Sequence, residues 1–175
     1  MQKTFKKVWG IITTVLVVIV AVLAILLAGV RLFGFDIYTV LSGSMEPFYH
    51  VGSVIYVKER APEKIAVGDP ITFMLNENLV ATHRVIEITE DENSELAFKT
   101  KGDANDAADG GLVNYRNVLG VPCFSVPMLG YLAAYIQTPV GRYAALTAAG
   151  IVVFLVFVPD MLFGGKDKKK EAKVK

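Results

Sequence analysis

Cysteine is almost absent: Cys123 stands alone among 175 residues. One thiol cannot close an internal disulfide, so a domain placed outside the reducing cytosol must be held by its core alone. Set in Val-Pro-Cys-Phe-Ser-Val-Pro, Cys123 is expected to be a small buried apolar residue and not a nucleophile. Histidine is nearly as scarce, with only His50 and His83. No internal repeat is visible. Charge is missing from Val8 to Val30, a run of about 23 residues that is long enough to cross a bilayer as a helix. A second run, Tyr143 to Phe163, carries only Asp160. The segment between the runs, roughly 110 residues, has the size of one ordinary domain.

The charges divide in the same way. The ends hold nine lysines, Lys3, Lys6 and Lys7 at one and Lys166, Lys168, Lys169, Lys170, Lys173 and Lys175 at the other, against Asp167 and Glu171 alone. Residues 31–142 carry nine basic and fourteen acidic side chains. Lysine-rich flanks stay in the cytoplasm, so both tails are expected inside and the acidic middle outside. An acidic middle gives nucleic acid no footing. The first run is longer than the apolar core of a cleavable signal peptide and leads into Arg31-Leu32-Phe33-Gly34-Phe35, which favours an uncleaved anchor. The lysines behind the second run favour a stop-transfer helix, although Pro159 and Asp160 blur its end. The expected organisation is a basic tail (1–7), a transmembrane helix (8–30), an extracytoplasmic domain (31–142), a second transmembrane helix (143–163) and a disordered, lipid-facing Lys-rich tail (164–175).

The middle reads as β. Asp36–Leu41, Ser53–Glu59, Pro70–Leu75, Leu79–Thr89, Leu96–Lys101 and Val118–Val126 are rich in Val, Ile, Thr, Phe and Tyr. In Leu79–Thr89, Ala81, His83 and Val85 point one way and Val80, Thr82 and Arg84 the other. Asp91-Glu92-Asn93-Ser94 predicts a hairpin turn into Leu96–Lys101. The expected fold is mainly β, a curled antiparallel sheet or partly open barrel with a transmembrane helix at each end.

Ser42-Gly43-Ser44-Met45-Glu46-Pro47 interrupts this pattern with small polar residues. Attack by a serine hydroxyl needs a base to take its proton. The base needs an orienting partner, and the oxyanion needs preorganised donors. Ser44 is the candidate nucleophile and His83 the candidate base. Asp103, Asp106 or Asp109, from the acidic stretch 103–111, is the candidate partner. Gly43 lets a substrate backbone approach, and the Ser44 N–H with the Ser42 hydroxyl can face the oxyanion. Phe33, Phe35, Tyr38, Met45, Phe48 and Tyr49 are candidates for substrate pockets, the lipid interface or the core. The acidic stretch also raises calcium, but it lacks the later bidentate Glu of an EF-hand loop and no helix pattern flanks it. Gly-x-Ser-x-Gly and Ser-x-x-Lys are both missing around Ser44, which excludes the α/β-hydrolase elbow and the β-lactamase motif.

Three stretches resemble one family. Ser42-Gly43-Ser44-Met45-Glu46-Pro47 is similar to the nucleophile motif of type I signal peptidases. Thr82-His83-Arg84-Val85 resembles their base motif in the branch where histidine replaces lysine, and Lys101-Gly102-Asp103-Ala104-Asn105 with Asp109 resembles the acidic motif of that branch. That branch is the endoplasmic-reticulum type, also found in archaea and Gram-positive bacteria. The resemblance implies a membrane-bound serine endopeptidase with Ser44 as nucleophile, Ser42 at the oxyanion, His83 as general base, and Asp109 and Asp103 as acidic members. Asp109 ranks first for contact with the imidazole, and Asp106 departs from the family's pattern. Histidine titrates near neutrality without the dehydration that a lysine base requires, but it needs orientation, so a histidine motif and an acidic loop belong together. The expected partners are secretory preproteins cleaved after small residues at −3 and −1, and the lipid bilayer. Partner subunits are left open, and no metal, organic cofactor or nucleic acid is called for. The plasma membrane is the expected location, ahead of the endoplasmic reticulum. The alternatives are another processing serine peptidase and a non-catalytic membrane-tethered β module.

Overall fold

The computed structural model describes residues 2–77 and 79–171. The chain divides into two units, residues 29–133 and the pair of segments 1–28 and 134–175. The first is built on seven strands: β1 (Phe35–Thr39), β2 (Val54–Lys58), β3 (Pro70–Asn76), β4 (Leu79–Glu90), β5 (Leu96–Lys101), β6 (Leu112–Asn114) and β7 (Val118–Val126). They form one sheet in the order β1-β2-β7-β3-β4-β5-β6, with every pairing antiparallel. The two ends of that order do not pair, so the sheet is open and curled.

Strand β7 makes the curl. Its first part pairs with β3 through Val118 and Gly120, and its second part pairs with β2 through Val121 to Val126. Both ladders shift register beside this change of partner. Gly120 sits at φ +150°, where a Cβ would come within 2.3 Å of the Lys58 carbonyl oxygen. Only glycine permits this approach of backbone to backbone.

Alternation along the strands builds the core. Ile71, Phe73, Val85, Phe98, Val113 and Val121 pack together as one cluster. Met45, Tyr49, Ile55 and Val57 form a second cluster beneath the serine loop. Tyr56 stacks on Phe124 with ring centroids 4.3 Å apart. The expected strands appear with ends shifted by two residues at most, and Leu96–Lys101 and Val118–Val126 match their expected bounds. β6 went unforeseen because three residues are too few to show alternation. Cys123 is exposed and not buried. It is the residue that the β2–β7 ladder skips, between Phe124 opposite Tyr56 and Pro122 opposite Val57, so the strand's alternation breaks there, and the apolar residues on either side of it misled the expectation.

The second unit contains α1 (Gln2–Leu27) and α3 (Pro139–Glu171), while α2 (Leu129–Gln137) bridges the division of the chain. Lys7–Leu27 and Pro139–Phe157 are both long and apolar enough to cross a membrane. Trp9 Nε1 donates to the Leu155 carbonyl at 3.4 Å. The backbone of α3 stays helical through the lysine-rich stretch to Glu171, where disorder was expected. Lysine is a good helix former, and extending an existing helix needs no new nucleus. Residues 172–175 of that expected tail lie outside the described residues.

Candidate active site

The serine loop is fixed from below and from the side. Met45 is only 2% exposed and sits in the second core cluster. Phe48 and Tyr49 both donate their backbone N–H to the Met45 carbonyl, closing a helical turn just after Ser44. From the side, the Ala104 N–H donates to the Ser44 carbonyl at 2.9 Å. Gly102 makes this possible, since a Cβ there would lie 2.7 Å from the Ser44 carbonyl oxygen. The serine loop and the acidic loop are therefore joined through main chain.

His83 comes from the middle of β4, on the same strand face as Ala81 and Val85. Its side chain is 16% exposed. Nδ1 lies 2.6 Å from Asp109 Oδ2, and Nε2 lies 3.1 Å from Ser44 Oγ. A carboxylate only accepts, so Nδ1 carries the proton and Nε2 is left to accept from the Ser44 hydroxyl. An arrangement of this kind can strip a serine hydroxyl of its proton and stabilise the resulting imidazolium.

Asp109 is held twice more. Its Oδ2 also accepts from the Thr100 hydroxyl at 2.6 Å, and its N–H donates to the Thr100 carbonyl at 2.9 Å. Asp103 lies elsewhere. Arg84 grips it with two bonds, Nε to Oδ1 at 2.8 Å and Nη2 to Oδ2 at 2.6 Å, and Arg84 Nη1 donates to the Gly68 carbonyl. Asp103 is thus the anionic partner of a guanidinium that also stacks over Phe48. The Arg84 guanidinium is held even more firmly protonated than usual, chiefly by its hydrogen bond to Asp103. Asp106 stays at the surface.

Ser42 Oγ lies 3.4 Å from Ser44 Oγ, on the exposed side of the loop. Gly43 is exposed, and a Cβ there would meet only Glu46 Cγ, at 3.5 Å. Of the candidate pocket residues, Met45 and Tyr49 are buried, while Phe33 and Phe48 are exposed. His50 is exposed and pairs at 2.6 Å with Glu46, four residues earlier. Burial pushes the Tyr49 phenol up to about 12, and the nearby Arg84 pulls it partly back. No group of three or more His, Cys, Asp or Glu placed to hold a metal ion occurs among the described residues.

Sequence reasoning missed Thr100 and the role of Arg84. The Arg84 signal was legible: a guanidinium beside a half-buried base needs a carboxylate fork. Thr100 gave no local sign. Only the β4–β5 register, which sets Thr100 opposite Val85, brings it under the acidic loop.

An open, curled antiparallel sheet carrying a Ser-His-Asp relay defines a serine-peptidase-like site. Residues 11–96 match the family described as signal peptidase, peptidase S26. The chain is 40% identical over 121 residues to Signal peptidase I W of Bacillus subtilis (strain 168), covering 65% of this chain and 63% of that protein. It is 31% identical over 128 residues to Signal peptidase complex catalytic subunit SEC11C of Homo sapiens, covering 68% of this chain and 67% of that one. Against Putative signal peptidase complex catalytic subunit SEC11B of Homo sapiens it is 31% identical over 124 residues, covering 66% of this chain and 75% of that one. The chain belongs to the signal peptidase family, peptidase S26.

Proposed function

We propose that this chain is a membrane-anchored serine endopeptidase that removes signal peptides from secretory preproteins, cutting after small residues at −3 and −1. The observation that carries this reading is the relay from Ser44 Oγ to His83 Nε2 at 3.1 Å and from His83 Nδ1 to Asp109 Oδ2 at 2.6 Å. His83 takes the Ser44 proton as Oγ attacks the scissile carbonyl carbon. The oxyanion of the tetrahedral intermediate faces the Ser44 N–H and the Ser42 hydroxyl. The C–N bond then breaks as His83 returns the proton to the leaving amine, and water cleaves the acyl-serine through the same base. Asp109 holds the imidazole in its working tautomer, and Asp103 secures the acidic loop through Arg84.

The signal-peptidase names of the relatives support the substrate class. The lysine-rich flanks support a topology with both tails in the cytoplasm and residues 31–142 outside, at the plasma membrane in preference to the endoplasmic reticulum. There the domain meets the cleavage sites of emerging preproteins at the lipid surface.

The test incubates the purified chain, in detergent, with a secretory preprotein. The parent releases the mature protein, while Ser44→Ala and His83→Ala release none. Normal cleavage by Ser44→Ala removes the nucleophile from this site and the reading with it. Two of the relatives are named as catalytic subunits of a complex, and cleavage by this chain alone would show that it needs no second subunit.

A further inference from the structure

Thr100 has no exposed surface, yet it carries a hydroxyl. A buried hydroxyl needs a partner, and this one donates to Asp109 Oδ2 at 2.6 Å. That oxygen is the same one that accepts from His83 Nδ1. Thr100 also takes the Asp109 N–H on its own carbonyl, so backbone and carboxylate of Asp109 are both tied to one residue of β5. The tie matters because Asp109 sits on a loop ending in Gly110-Gly111, and its side chain is 25% exposed. Water competes for a carboxylate in that position, and a freed carboxylate turns toward solvent. The rigid side of the arrangement is the sheet. Val85, two residues beyond His83 on the same face, lies opposite Thr100 in the ladder. The imidazole and the threonine hydroxyl therefore approach the carboxylate from neighbouring strands.

We propose that Thr100 is a positioning residue of the relay, its hydroxyl aiming Asp109 Oδ2 at the His83 imidazole. The proposal rests on the peptidase reading above for its effect on turnover, but not for its effect on the histidine. Without the hydroxyl the carboxylate spends less time on Nδ1. The imidazolium then loses part of its anionic partner, and the neutral ring loses its fixed tautomer.

The experiment compares the full chain in detergent with Thr100→Val, Thr100→Ala and Thr100→Ser. Valine keeps the volume and removes the donor, alanine removes the donor together with the bulk, and serine keeps the donor. Turnover of a secretory preprotein is measured across pH, and chains labelled with nitrogen-15 histidine are followed by NMR. His50→Ala assigns the two ring signals. In the valine and alanine variants kcat falls about tenfold, as expected for a lost hydrogen bond to a charged group. KM stays within about twofold, and the acid limb of the pH profile moves down by about half a unit. The low-field Nδ1 proton of His83 broadens or vanishes in both. Serine restores all three readouts. Parental kcat together with an intact His83 signal in the valine and alanine variants overturns the proposal, as does an equal loss in the serine variant. The ring signal needs no turnover, so a parent that cleaves no preprotein counts against the peptidase reading and leaves the Thr100 comparison readable. If the valine variant fails to fold, the alanine and serine pair carries the same comparison.

Discussion

At the scale of single residues, the two aspartates of the acidic motif do different work. Asp109 faces the imidazole, and Asp103 faces Arg84. Asp109→Asn is expected to leave the melting temperature nearly unchanged and to lower kcat by about 10⁴-fold, since the amide favours the wrong tautomer. Asp103→Asn leaves a partly buried guanidinium without its anion, and about 2 kcal/mol of stability goes with it. Its activity falls in step with its folded fraction, which thermal melts and cleavage assays on the same sample compare directly. Tyr49 adds a pH dependence. Its folded phenol titrates at about 12, against about 10 unfolded. Because the folded value is the higher one, the stability is fully present below about pH 10 and drains away as pH rises toward 12. Tyr49→Phe is expected to lack this component, so parallel melting curves for parent and variant between pH 9 and pH 11.5 would refute it. Most of the candidate site was legible at this scale because its grouping rests on side-chain chemistries, and Ser44, His83 and Asp109 announce themselves. Thr100 did not, because a threonine in a strand reads as ordinary β filling until the register of its neighbour is known.

At the scale of elements, β7 decides the architecture. A strand that pairs with β3 early and β2 late needs one point where backbone passes close to backbone, and Gly120 is that point. Gly120→Ala is expected to cost about 3 kcal/mol, from the strained φ and the contact with Lys58 together. Thermal denaturation would register that as a fall of more than about 10 °C, and a drop under about 2 °C would refute it. The strands were readable because alternation and turn residues are local signals. Their order was not. Nothing in Val118–Val126 says that it is inserted between β2 and β3, because that choice is made by contacts far apart in the chain. The short helix α2 was also invisible beside the long apolar stretch that follows it, since continuous hydrophobicity hides a 3.6-residue period.

At the scale of the whole molecule, the lone cysteine becomes a reporter. Cys123 is exposed and belongs to the sheet unit, so its accessibility reads the proposed sidedness directly. A membrane-impermeant maleimide is expected to label the chain in intact cells without permeabilisation. Labelling only after permeabilisation would reverse the orientation inferred from the lysine-rich flanks. The peptide group between Asp103 and Ala104 has a wider meaning. Because the acidic loop is spliced to the Ser44 carbonyl by an amide hydrogen and not by a side chain, ordinary replacements at position 104 are silent to that splice. Proline is the exception, because it has no hydrogen to give. Evolution can thus vary the side chain at position 104 widely while the splice is held by an atom that nineteen of the twenty residues share.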